Sequence, residues 1–281
     1  LLQNYPNLEY IIIDGGSTDG SVEIIKKYEP WLNYWVSETD RGQTYAINKG
    51  IKHCNGEIFA FINSDDFYYP DAFQEIAQLY HLHGQKPTTW ICGRINQVNE
   101  QGSILGMRQN RYGSDPLDWY LHRWREKGTS INQPASFWSF AIFDQVGLFD
   151  ENFSYSFDYE FFVRLYSLGI KCIDDPGIFA AFRIHSHSKT KSSSTFFVEE
   201  DYQIAEKYLK PNHQIDGYQK LLKEGEFVAD RARFTRLLLE DKSLLELLKS
   251  IMPLLMRHPQ FVFLKRTMRG LLTATFSKRA K

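Results

Sequence analysis

Ile58-Phe59-Ala60-Phe61-Ile62-Asn63-Ser64-Asp65-Asp66 is an uncharged, apolar run that ends in two adjacent carboxylates. Five apolar residues in a row predict a strand covered on both faces, as in a parallel sheet. In open α/β sheets, ligands gather beyond the carboxyl ends of such strands. Asp65 and Asp66 would repel each other there unless a cation lay between them, and hard oxygen donors suit Mg²⁺ or Mn²⁺ better than zinc. The plainer reading is that Ser64, Asp65 and Asp66 form a turn or cap the helix that Pro70 opens.

Two more strand-to-turn junctions lie upstream. Tyr10-Ile11-Ile12-Ile13 runs into Asp14-Gly15-Gly16-Ser17-Thr18-Asp19-Gly20-Ser21 and then a helix from Val22 to Tyr28. The small residues let a ligand approach the backbone closely. Asp14 is the candidate to accept a hydrogen bond from a ribose or a base N–H, while Ser17 and Asp19 read as caps of the following helix. A third strand, Asn33 to Val36, enters Ser37-Glu38-Thr39-Asp40-Arg41-Gly42-Gln43 and a helix from Thr44 to Lys52. Asp40 is placed to read a pyrimidine edge or to hold Arg41. Lys49 either reaches a phosphate as a point charge or lies on a solvated face.

Together the segments 5–21, 37–43 with Asn48-Lys49-Gly50, and Asn63-Ser64-Asp65-Asp66-Phe67-Tyr68-Tyr69-Pro70 resemble the family 2 glycosyltransferases of bacterial polysaccharide synthesis. Gly147-Leu148-Phe149-Asp150-Glu151 and Phe157-Asp158-Tyr159-Glu160-Phe161-Phe162-Val163-Arg164-Leu165 look like that family's acceptor-side segment. The resemblance runs to about Ser194. It implies an α/β fold of GT-A type, a Rossmann-like mixed sheet flanked by helices over residues 1–195, with a helical C-terminal extension over 196–281.

By the same resemblance the donor is a nucleoside-diphosphate sugar, held by Asp14, Asp40, Lys49 and Asp65. Asp66 meets a divalent metal, Mn²⁺ or Mg²⁺, and His185 of Arg183-Ile184-His185-Ser186-His187 is a second candidate ligand. Asp158 is the expected base that takes the proton of an attacking acceptor hydroxyl, which implies inversion. Its plainer role is N-cap of a helix from Tyr159 to Leu168. Glu160 is its competitor and, with Gln133, an acceptor-side candidate. The acceptor would be a glycan or a lipid-linked glycan. A nucleotidyltransferase and a catalytically silent sugar-nucleotide or glycan-binding module remain the alternatives.

Two departures from the family pattern stand out. Gly15 occupies a place where many members carry a second Asp. Leu1-Leu2-Gln3-Asn4-Tyr5 falls inside what would be the family's first helix, so its opening strand is expected to be missing, as in a fragment of a longer protein.

Composition fits a globular enzyme: of 281 residues, 43% are hydrophobic and 15% aromatic, enough for one substantial core. A net charge of −1 gives no reason to expect nucleic acid. The charge is uneven, however. No acid follows Glu246, while eight Lys and Arg do, leaving the preceding residues with 25 bases against 34 acids. The basic, apolar stretch 261–281 suits peripheral contact with an anionic membrane on its cytoplasmic face. No apolar run reaches the ~18 residues of a membrane span. Cys54, Cys92 and Cys172 are scattered and read as reduced thiols. From Phe197 onward the pattern is helical, with Pro253 and Pro259 expected to break its final run. Trp124 and Trp138, in the aromatic stretch 112–138, read as core.

Overall fold

The computed structural model describes residues 3–112, 129–186, 188–189, 194–212, 217–240 and 242–264. Strand β1 (Ile11–Asp14) leads through α1 (Ser21–Tyr28) to β2 (Tyr34–Ser37), and the two pair in parallel with Asp14 opposite Ser37. Helix α2 (Gln43–Ile51) follows, then β3 (Ile58–Phe59), β4 (Phe67–Tyr68), α3 (Ala72–Leu82), β5 (Trp90–Val98) and β6 (Ile104–Arg108). Next come β7 (Ser136–Ser139), α4 (Ile142–Val146), α5 (Phe157–Ser167) and β8 (Ile173–Arg183). The second half closes with α6 (Ser194–Leu209), α7 (Tyr218–Leu237) and α8 (Leu244–Arg257).

The larger sheet has the order β3-β7-β5-β8-β4, with β6 also on β5. Only β5 and β8 pair in parallel there. Among the described residues no ladder joins β1 to β3. The two sheets are tied instead by Glu9, whose carboxylate accepts the N–H groups of Asn55 and Gly56 at 2.7 and 3.1 Å.

The run Ile58–Ile62 is therefore not the doubly covered parallel strand its composition predicts. Its strand is two residues long and antiparallel to β7, with Phe59 opposite Trp138. Beyond it, side chains replace the ladder: the Phe61 carbonyl accepts Gln133 Nε2 at 2.9 Å and the Tyr68 hydroxyl at 3.4 Å. Its apolar character comes from aromatic packing, since Phe61 stacks on Trp138 with ring centroids 6.3 Å apart and meets Phe149 edge-on at 5.5 Å.

One core gathers Trp90, Trp138, Phe161 and Leu165 with Ile204, Ala205 and Leu209 of α6. A second lies under α3, around Ile76, Ile91, Ile95 and Phe179. A third joins α7 to α8 through Phe234, Ile251, Leu254 and Phe261. Pro253 does not break the last helix: α8 runs through it, held by packing and by a Ser243–Glu246 capping box. Pro259 does open a separate 3₁₀ turn, Pro259–Phe263. The three cysteines are free thiols. Trp124, His187 and residues 265–281 lie outside the described residues.

Candidate functional site

Parallel pairing brings the ends of β1 and β2 level, so the turns that follow them face each other. The Asp14 carboxylate accepts Gly16 N at 3.1 Å, Ser17 N at 2.9 Å and Ser37 Oγ at 2.6 Å, and also the Ser17 hydroxyl. Burial pushes its pKa up, but these donors outweigh burial and hold it at about 2. Asp14 thus organises its own turn and stays ionised. Asp40 accepts Gly42 N at 2.7 Å just before α2.

A Cβ on Gly15 would lie 3.0 Å from Asp40 Oδ2, so any side chain there would press the Asp40 carboxylate aside. Lys49 is ion-paired with Glu38, two residues before Asp40, and that bond raises its pKa. The expected cap at Asp19 is displaced: Gly20, with a left-handed φ of 92°, is the N-cap of α1, and Asp19 accepts Ser21 N at 3.1 Å.

The acidic turn lies against the end of β8. Helix α3 begins at Ala72 with Asp71 as N-cap, so neither Asp65 nor Asp66 caps it. Instead Asp65 Oδ2 lies 2.9 Å from His185 Nε2. Asp66 Oδ1 accepts Arg183 N at 2.8 Å, and Arg183 Nε donates to the Asp65 carbonyl at 2.8 Å. Burial pushes Asp66 up to about 6, with the Asp65 charge adding to it; the Arg183 N–H, Asn63 and the Arg183 charge offset this only in part.

No group of three metal-binding side chains is assembled among the described residues. A half-buried carboxylate with a raised pKa beside a carboxylate–histidine pair nevertheless fits a divalent cation. Such ions are commonly held by one or two carboxylates with substrate phosphates completing the shell.

Helix α2 links these turns to the acceptor-side segment. Gln43 Nε2 donates to Asn63 Oδ1 at 2.6 Å. Asn48 makes paired hydrogen bonds with the backbone of Phe149, at 2.9 and 3.0 Å, and Thr44 Oγ1 donates to the Phe153 carbonyl at 2.8 Å. Asp158 follows in the first turn of α5. The helix starts at Phe157, earlier than its sequence pattern predicts, so Ser156 is the N-cap and Asp158 is not. One Asp158 oxygen accepts Tyr159 N at 2.8 Å.

Two expected acceptor-side residues take other places. Glu160 is fully buried and bonded to Arg164 at 2.7 Å, Lys207 at 2.8 Å and the Tyr208 hydroxyl at 2.6 Å. It pins α5 to α6, and its oxygens are taken by these partners. Gln133 is 7% exposed and braces the Phe61 carbonyl, so it supports the acidic segment from behind.

Two residues escaped the reading of the sequence. Lys189 Nζ donates to Gln43 Oε1 at 3.0 Å and to the Ser154 carbonyl, and sits 4.8 Å from the Tyr155 ring centroid. Burial lowers its pKa, while the charges of Glu200 and Asp158 oppose that shift, so it lies within electrostatic reach of Asp158. Glu200 on α6 accepts the backbone N–H groups of Ser154, Tyr155 and Ser156. The Ser/Lys-rich composition of 188–194 hinted at the first. No local pattern marks the second.

A mixed α/β sheet flanked by helices, with small-residue turns at the strand ends and an acidic turn at the end of β8, is the arrangement of the GT-A fold. The chain belongs to glycosyl transferase family 2, whose family model matches residues 1–147. An uncharacterized glycosyltransferase of Mycobacterium tuberculosis is 29% identical over 158 residues, 56% of each chain. A Methanococcus voltae protein named dolichyl N-acetyl-alpha-D-glucosaminyl phosphate 3-beta-D-2,3-diacetamido-2,3-dideoxy-beta-D-glucuronosyltransferase is 27% identical over 198 residues, 66% of this chain and 61% of that one. The match thus spans little more than half the length of these relatives. In three dimensions the chain resembles Staphylococcus aureus TarS 1–349 crystallised with UDP-GlcNAc, with a TM-score of 0.53 and 16% identity over 99% of this chain and 85% of that one. This likeness establishes the fold.

Proposed function

We propose that the chain transfers a sugar from a nucleoside-diphosphate donor, a UDP-sugar first among them, to a hydroxyl of a glycan or lipid-linked acceptor, with inversion, in cell-surface polysaccharide assembly. The observation that carries this reading is the convergence of Asp65, Asp66 and His185 at one strand end, tied through Asn63 and Gln43 to the Asp40 turn. The name of the Methanococcus relative and the UDP-GlcNAc in the TarS crystal favour the same chemistry.

In this reading Asp14 and Asp40 hold the nucleoside, with Lys49 and Asp65 toward the phosphates. Asp66, Asp65 and His185 would hold Mn²⁺ or Mg²⁺, which as a Lewis acid would neutralise charge on the departing nucleoside diphosphate. Asp158 accepts the proton of the acceptor hydroxyl as its oxygen bonds to the anomeric carbon and the C–O bond to the diphosphate breaks. A single base on the face opposite the leaving group gives inversion. Glu200 and Lys189 act through position, holding the loop before Asp158 against the donor side. The helical C-terminal extension is taken over 196–281, with Leu209 of α6 and Leu221 of α7 packed into the main core. The protein works at the cytoplasmic face of a membrane, in peripheral contact through 261–281.

Calorimetric titration of UDP, GDP and dTDP, with and without Mn²⁺, into the wild type and Asp66→Ala tests the donor site. One nucleotide should bind and should need both the metal and Asp66. Absence of nucleotide binding under every condition overturns the assignment.

A further inference from the structure

Helix α8 carries two apolar stripes. Leu247, Ile251 and Leu254 face inward, into the cluster with Phe234 and Phe261. On the other side Leu245, Met252 and Met256 are 65%, 47% and 79% exposed, with exposed Lys249 among them. At 3.6 residues per turn these four lie within about 60° of one another, opposite the buried stripe. The 3₁₀ turn Pro259–Phe263 extends the exposed surface with Val262 at 46% and Phe263 at 88%. Large exposed apolar side chains sharing one helix face mark an interaction surface.

Charge identifies what covers it. Past Glu246 the chain has no acid and eight bases, of which Lys265, Arg266 and Arg269 follow directly on Phe263 and Leu264. Arg257 is held by Asp230 and Glu226, while Lys249 lies on the stripe and Lys265, Arg266 and Arg269 follow Leu264 in sequence. Apolar side chains flanked by Lys and Arg suit the boundary between acyl chains and anionic headgroups.

We propose that the outer face of α8, continued by the 259–263 turn, lies flat on an anionic lipid bilayer and holds the transferase at the membrane surface. The inference rests on the peripheral placement proposed above and not on the donor site, so vesicle binding and nucleotide binding can fail separately.

The test is co-sedimentation of the full chain with phosphatidylcholine vesicles, with and without phosphatidylglycerol. Binding should require phosphatidylglycerol and weaken as salt rises. Met256→Gln/Phe263→Gln, at two largely exposed positions, should reduce partitioning about tenfold with unchanged circular dichroism and nucleotide affinity. Lys265→Gln/Arg266→Gln/Arg269→Gln should weaken it as well. Equal binding to neutral vesicles, no binding, or full binding by either variant overturns the proposal. So does concentration-dependent self-association relieved by Met256→Gln/Phe263→Gln, which would assign the stripe to a second copy.

Discussion

The Glu200 carboxylate accepts the backbone N–H of Ser156 at 2.7 Å, as well as those of Tyr155 at 2.8 Å and Ser154 at 2.9 Å. A helix beyond the recognisable motifs therefore fixes the loop that delivers Asp158. Hydrogen bonds to a charged group are worth about 1.5–3 kcal/mol each, but water can take over N–H groups freed in this part-exposed loop, so Glu200→Ala should cost about 2–3 kcal/mol in urea unfolding, less than the sum of the three. Steady-state kinetics should show kcat about 100-fold lower and the donor KM little changed, because the loss is of alignment on the acceptor side. Glu200→Gln, which keeps one acceptor oxygen, should recover part of kcat.

Lys189 joins Gln43, just after the Asp40 turn, to Ser154 in the loop before Asp158. Lys189→Met keeps the stem against Tyr155 and loses both hydrogen bonds. The expected result is kcat/KM lower by about 10- to 100-fold, divided between kcat and donor KM, in contrast to the kcat effect of Glu200→Ala.

Asp66 carries a raised pKa of about 6 against an ordinary 3.8. Between those values the native state binds more protons than the unfolded chain, so stability falls as pH rises through that window and stays low above it. Without metal, Asp66→Asn should be more stable than the wild type at pH 7.5, by on the order of 2 kcal/mol, and no more stable at pH 4. The same substitution should abolish metal-dependent nucleotide binding. Thermal melts at the two pH values, repeated with Mn²⁺ and UDP, check both halves.

Gly15→Ala places a methyl 3.0 Å from Asp40 Oδ2. A carboxylate at the end of a short side chain can move aside, so the melting temperature should change little. Nucleotide affinity, read by calorimetry, should fall about tenfold as Asp40 is displaced.

Glu160 separates the buried reading from the acceptor-site reading. Breaking a buried ion pair from one side costs about 3–5 kcal/mol, so Glu160→Ala should show that loss in denaturant. The acceptor KM of the folded fraction should stay near wild type. A raised acceptor KM without loss of stability would restore Glu160 to the site.

Most of the elements were legible because their patterns are local. The helices after Ser21, Gln43 and Phe157 and the strands at Ile11 and Tyr34 lie within a few residues of their sequence expectations. The acidic turn was legible for the same reason: two adjacent carboxylates after an apolar run need no partner to be noticed. The pairing of Ile58 and Phe59 was not, because an apolar pentapeptide packed on aromatic rings reads the same as one inside a parallel sheet. Glu160 misled because a helix-start carboxylate carries no mark of the Lys207 and Tyr208 that meet it 47 and 48 residues later.

The sequence by itself determined the class of fold and the identity of Asp14, Asp40, Asp65, Asp66 and Asp158 as candidates, since strand ends, small-residue turns and carboxylates are written in consecutive residues. Only the tertiary structure decided their surroundings. It set His185 beside Asp65, bound Glu160 to Lys207 and Tyr208, and brought Glu200 and Lys189 to the loop before Asp158. These are contacts between residues 35 to 120 positions apart. Their energies depend on burial and direction, which chain order does not record.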